Sequence, residues 1–233
     1  MNGTVELVPS VADAFADLVV RTLAEERHDR FSLFLSGGST AKECYESLAR
    51  VGGPGSRVDW GGVDVYLGDE RCVPPDHPDS NHRMVAETLF DVVGPVGSDH
   101  PMYRSGNPSA AAADYQAVIA PLPAFDVVHL GLGPDGHTAS LFPGSAALEV
   151  VDPSVLVVPN QDPNAVNPHE RITLTYPAIA RARLAVFTVS GAAKRTAFAG
   201  VVNGDDLPAT HVVADRILWL VDREAAGDTP LPA

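Results

Sequence analysis

Three times in this chain an apolar, strand-like run stops at a glycine- or serine-rich turn and passes into helix-forming sequence. Arg30-Phe-Ser-Leu-Phe-Leu35 runs into Ser36-Gly-Gly-Ser-Thr40. Phe125-Asp-Val-Val-His-Leu130 runs into Gly131-Leu-Gly-Pro-Asp-Gly-His137, and Leu184-Ala-Val-Phe-Thr-Val189 into Ser190-Gly-Ala-Ala-Lys-Arg195. Runs this short, apolar and β-branched read as buried strands. Strands alternating with helices predict an α/β fold: a mostly parallel sheet with helices on both faces. The chain shows no internal repeat, low-complexity block or composition break. A single domain over residues 1–233 is therefore expected, long enough to bury a substantial core.

Between these runs the pattern supplies the remaining elements. Val5–Val8 is an edge-strand candidate. Val11, Ala14, Phe15, Leu18, Val19 and Leu23 fall at helical spacing behind Ser10, a suitable N-cap. Ala41–Ala49 reads as a helix, Val63–Leu67 as a strand, and Asp79 or Ser80 opens a helix running to about Phe90. Pro108–Ile119 reads as a helix with proline in its first turn. Val155–Val158, Arg171–Tyr176, His211–Ala214 and Ile217–Val221 supply further strands. Gly68–Pro75, Val92–Asn107 and Pro159–His169 are expected as loops, the last of them long enough to cover a site.

A strand that ends in glycine and polar residues puts chemistry at the carboxyl edge of the sheet, where open α/β sheets bind ligands. Ser36–Thr40 has the makings of an anion site. Glycines allow close backbone approach, hydroxyls donate, and the following helix offers unpaired N–H groups. It lacks the G-K-[ST] ending of a Walker loop. Asp69 and Arg71 stand at a second strand end, as an ion pair in a solvated turn or as a fixed polar constellation. Asp135 and His137 stand at a third, as a capping turn or as a base with its partner. Lys194 stands at a fourth.

The formal net charge of −14 argues against nucleic acid and anionic membrane, which need a basic face. It leaves few cations for an anionic substrate, and the only lysines are Lys42 and Lys194. Cys44 and Cys72 form no C-x-x-C pair and read as free thiols. No apolar run nears the ~20 residues a membrane helix needs. Met1–Glu6 lacks the basic and apolar regions of a signal peptide, so the expected location is the cytoplasm. His129, Asp135 and His137 lack zinc-site spacing, and no H-E-x-x-H or C-x-x-C occurs, so no metal site is expected.

Taken together, the four strand ends resemble the bacterial 6-phosphogluconolactonase family, which groups with the glucosamine-6-phosphate deaminases and isomerases. The most specific piece is Gly131–Pro143, similar to G-x-G-x-D-G-H-T-A-S-L-F-P. Leu35–Thr40, Gly68–Arg71 with Pro74, Ser80-Asn81, Arg171–Thr175, and Ser190-Gly191 with Lys194 support it. The resemblance implies a Rossmann-like, deaminase-like fold and hydrolysis of 6-phospho-D-glucono-1,5-lactone to 6-phosphogluconate in the oxidative pentose phosphate pathway, by a monomer or small homo-oligomer, with no cofactor. It assigns His137 as the base. Asp135 and Asp69 are expected to orient it or the substrate. Gly37, Gly38, Ser39 and Thr40 are expected to hold phosphate, with charge from Arg171 and Lys194. Arg71 is expected to meet phosphate or the lactone hydroxyls. Ser36, Ser140 and Ser190 are alternative nucleophiles, but none lies in a G-x-S-x-G elbow, and nothing marks Cys72 as activated. An amino-sugar-phosphate deaminase or isomerase is the competing enzyme. Relatives of that kind resemble D-G-H-I-A-F-N-E-P, with a glutamate where this chain has Phe142. A non-catalytic sugar-phosphate-binding protein is the third possibility.

Overall fold

The structure, a computed structural model, describes residues 1–25 and 30–231. In chain order it comprises β1 (Thr4–Leu7), α1 (Val11–Glu25), β2 (Phe31–Leu35), α2 (Ser39–Gly52), β3 (Val63–Leu67), β4 (Asp69–Arg71), α3 (Asn81–Val85) and α4 (Asp91–Val93). There follow β5 (Ser98–Asp99), α5 (Pro108–Ile119), β6 (Phe125–Gly131), β7 (Val157–Asn160), β8 (Arg171–Leu174), α6 (Tyr176–Ile179), β9 (Ala182–Val189), α7 (Arg195–Asn203), β10 (Ile217–Val221) and α8 (Arg223–Ala226). A π-helical turn, Ala86–Phe90, joins α3 to α4.

Seven strands form a parallel sheet in the order β1-β10-β9-β6-β2-β3-β5. The chain builds outward from β2 to β3 and β5, then returns to place β6 on the other side of β2. The order therefore reverses between β2 and β6, and the crevice beyond their carboxyl ends is the favoured ligand site. At the opposite end a buried polar bridge pins these two strands. Ser32 donates to Asp126 Oδ2 from its backbone N (2.8 Å) and hydroxyl (2.9 Å), and Asp126 N donates back to Ser32 Oγ (2.9 Å).

The central strands are apolar because both faces are covered. β2 is buried along its whole length, as is β6 up to Gly131. Phe34 lies between Tyr66 and Phe125, with ring centroids 4.7 and 4.2 Å away, and Phe187 stacks on Trp219 at 3.7 Å. The helices begin where local chemistry starts them. Ser10 accepts from Asp13 N ahead of α1. Asn107 accepts from Ser109 N and Ala110 N ahead of α5, whose first residue is Pro108.

A second, three-stranded antiparallel sheet, β4-β8-β7, departs from the expected single sheet. Asp69–Arg71, expected as a loop, is strand β4. Its three charged residues carry no apolar signal, and its partner β8 comes far later in the chain. Glu70 does not face solvent. It is buried and accepts from the backbone N of Arg71, Asn81 and His82 and from the Ser80 hydroxyl, holding the start of α3. Burial raises its pKa, against those hydrogen bonds. Three strand readings shift. β7 lies at Val157–Asn160 rather than Val155–Val158, β5 sits inside the expected connection 92–107, and His211–Ala214 is no strand. There a 3₁₀ turn, Pro208–His211, leads directly to the segment before β10.

Candidate active site

The turn after β6 is tied by Gly133 N to His137 O (2.8 Å) and Gly136 N to Gly133 O (3.0 Å). It folds the Asp135 side chain back onto its neighbour. His137 Nδ1 lies 2.5 Å from Asp135 Oδ1, and His137 N donates to the same oxygen at 3.2 Å. Burial pushes the Asp135 carboxyl up, but the hydrogen bond and charge of His137 outweigh it and hold its pKa below the usual carboxylate value. An ionised Asp135 accepts from Nδ1–H, so the lone pair of His137 lies on Nε2. Gly133 is required here, because a Cβ would stand 2.2 Å from His137 Nδ1 and 2.6 Å from Asp135 Oδ1. Phe142 packs edge-on to the imidazole, centroids 5.0 Å apart.

The turn after β2 faces it across the crevice. Gly37 lies so close to the buried Asn81 side chain that a Cβ would come within 2.0 Å of its Oδ1, and Asn81 Nδ2 in turn donates to Asp69 O (2.9 Å). Among the described residues no side chain caps α2. Ser39 and Thr40 occupy its first turn, where unpaired N–H groups and the helix dipole favour an anion.

One cleft brings the predicted residues together. Gly37, Gly38, Ser39, Thr40, Asp69, Arg71, His137, Arg171 and Lys194 all line it. Asp135 stands behind His137. Lys194 is there because the turn after β9 enters α7 at this edge, and burial lowers its pKa against the pull of Asp135. Lys42, the other lysine, lies on the exposed face of α2, 3.8 Å from Glu46.

Asp69 and Arg71 do not act as an isolated pair. Asp69 is buried and accepts from Ser140 Oγ at 2.6 Å, while Arg71 Nη1 donates to Asp79 O at 2.6 Å. Across the β4–β8 ladder Arg71 stands directly opposite Arg171, and the buried Nε of each guanidinium has no hydrogen-bond partner among the described residues. Arg171 is itself buried, which lowers its pKa; its Nη2 donates to Pro168 O at 2.9 Å. Two like charges side by side with unmet donors are unfavourable unless an anion joins them.

Two of the three alternative serines are otherwise engaged. Ser140 and Ser190 give their hydroxyl hydrogens to the carboxylates of Asp69 and Asp222 (2.6 and 2.7 Å). Burial, with Glu170, pushes the Cys72 thiol up to about 12. Among the described residues, the grouping of His, Asp, Glu and Cys side chains close enough to hold a metal is His77, Asp79 and His169, none of which lines the cleft. Ser36 and Ser140 also line the cleft, as do Asn167 and Thr188, which had no role assigned to them from the sequence. Thr188 was within reach of the pattern, since it lies next to the end of the strand that leads to Lys194.

The family model for glucosamine-6-phosphate isomerases and 6-phosphogluconolactonase matches residues 4–219. The chain belongs to this family. A 6-phosphogluconolactonase of Nostoc sp. is 40% identical over 98% of this chain and 99% of its own length. The crystal structure of 6-phosphogluconolactonase from Thermotoga maritima superposes with a TM-score of 0.83 at 28% identity, covering 95% of this chain and 100% of that one. A monomeric glucosamine-6-phosphate deaminase shares the fold, with a TM-score of 0.79 at 20% identity over 97% of this chain and 99% of its own. Within the isomerase/lactonase family, Phe142 bears on which branch the site suits. It is buried, its ring meets His137, and the Arg171 guanidinium lies 6.0 Å above it. An apolar wall stands where the deaminase pattern has an acid.

Proposed function

We propose that this chain hydrolyses 6-phospho-D-glucono-1,5-lactone to 6-phosphogluconate, the lactone-opening step of the oxidative pentose phosphate pathway, in the cytoplasm. The observation that carries this reading is the His137–Asp135 pair at 2.5 Å in a cleft whose other charged groups are mainly cations. Nε2 of His137 takes a proton from water as the oxygen attacks the lactone carbonyl. The tetrahedral intermediate collapses, the ring C–O bond breaks, and the imidazolium returns its proton to the leaving ring oxygen. Asp135 holds the Nδ1–H tautomer and stabilises the imidazolium. Asp69 acts differently. It fixes Ser140, and with it the turn after His137.

The substrate phosphate is matched by the N-terminus of α2 with Gly37–Thr40, and by Arg71, Arg171 and Lys194. Each charge-assisted hydrogen bond contributes roughly 1.5–3 kcal/mol. The phosphate thereby also relieves the opposed guanidiniums. No step is routed through a metal.

Lactone loss followed by NMR on freshly generated substrate tests the reading, with wild type compared against His137→Ala and buffer alone, because such lactones open unaided. The expected result is acceleration by wild type and a loss of about 10²–10⁴-fold in the variant. Unchanged turnover in the variant removes His137 as the base. No acceleration by wild type removes the lactonase.

A further inference from the structure

Outside the cleft, the turn before α3 and the segment between β7 and β8 meet through three metal-ligating side chains. His169 Nε2 lies 2.9 Å from Asp79 Oδ2, and His77 Nδ1 lies 3.8 Å from the same oxygen. One ligand atom from each residue falls within 4.8 Å of the others. Tetrahedral zinc with bonds of about 2.0–2.1 Å sets its ligand atoms roughly 3.4 Å apart, so these separations bracket what the ion needs. His77 Nδ1 accepts from Asp79 N at 3.1 Å, and a metal bound at this nitrogen would take that lone pair in place of the N–H. All three residues are partly or fully exposed, which leaves an approach from solvent and room for a water as fourth ligand.

We propose that His77, Asp79 and His169 form a site for a divalent transition metal, zinc by ligand type, that ties the 161–170 segment to the turn before α3. Two imidazoles and one carboxylate are a donor set for zinc, cobalt or nickel rather than for magnesium or calcium, which take oxygen ligands. The site is separate from the hydrolytic cleft. It acts on backbone, because the residues it joins lie next to the ones that aim the guanidiniums. Asp79 O accepts from Arg71, and Pro168 O from Arg171. Without metal, the His169–Asp79 hydrogen bond joins these side chains. With metal, three coordination bonds do.

The test is a zinc titration in competition with a chromophoric chelator, on wild type, His77→Ala and His169→Asn. Asparagine is chosen at 169 because the backbone there is left-handed (φ 72°), a conformation asparagine tolerates. Wild type is expected to bind about one zinc per chain, and each variant to bind at least about tenfold more weakly. Zinc should slow amide exchange across 161–170 in wild type and leave it unchanged in the variants. Circular dichroism without metal checks that the variants fold. A variant that does not fold is replaced by cobalt(II) on wild type, where the His77 and His169 ring protons should show paramagnetic shifts. No uptake, equal uptake by the variants, cobalt shifts on other histidines, or exchange unaffected by zinc would each overturn the proposal.

Discussion

Gly133 and Gly136 look equivalent in the sequence and do different things in the structure. Gly136 has φ 83°, and a Cβ on it would also strike Leu207 at 2.8 Å, so Gly136→Ala should destabilise the protein. Gly133 needs no left-handed backbone. Its Cβ would instead enter the space of the His137–Asp135 pair. Gly133→Ala is therefore expected to lower kcat on the lactone by about a hundredfold, since displacing a reacting group by ~1 Å has that effect, with little change in Tm. Lactone turnover and thermal unfolding of the two variants check this. A Gly133→Ala enzyme with normal kcat would mean that the imidazole is not held where it must be for chemistry.

Among the elements, the legible ones are those whose signal is local. β3 and α5 occupy the expected residues, because an apolar run between turns and a helical stretch opened by proline are read without knowing what packs against them. The turns after β2, β6 and β9 were legible for the same reason, and they carry most of the cleft. What was hidden depends on partners far along the chain. β4 is three charged residues, and only its pairing with β8 makes it a strand that sets Arg71 opposite Arg171. Asn81 gains its place from the approach of Gly37, and Ser140 from Asp69; no spacing in the sequence announces either contact. The β4–β8 ladder makes its own prediction. Arg171→Ala should raise KM for the phosphorylated lactone by about 10–150-fold, the equivalent of roughly 1.5–3 kcal/mol. It should leave kcat less affected and change little on an unphosphorylated lactone. Equal losses on both substrates would place Arg171 at the lactone ring rather than at the phosphate.

Across the whole molecule, one buried histidine ties the core to the cleft. His129 on β6 is fully buried, with Nδ1 2.8 Å from the Tyr45 hydroxyl of α2 and Nε2 2.8 Å from Thr188 Oγ1 of β9. Phe15 of α1 packs on its ring, centroids 4.2 Å apart. Tyr45 also accepts from Ser36 N (2.6 Å), so the chain of contacts reaches the turn after β2, and Thr188 itself lines the cleft. Burial lowers the His129 pKa to about 3. The folded protein thus keeps this ring neutral, whereas the unfolded chain protonates it near pH 6.5. Above pH 6.5 both states hold the neutral ring and no stability is lost. As pH falls from about 6.5 towards 3, the unfolded state takes up a proton that the folded state refuses, and stability drops by up to about 1.4 kcal/mol per pH unit. Between pH 7 and pH 5 this one group removes about 2 kcal/mol. His129→Gln has nothing to titrate there. Whatever the substitution costs at pH 7 it costs at pH 5 as well, and the other titrating groups are common to both proteins. Urea unfolding at the two pH values should therefore show the variant losing about 2 kcal/mol less than wild type on acidification. Equal losses would mean that His129 is protonated in the folded state as readily as in water, and that the polar contacts beneath the cleft open to admit the charge.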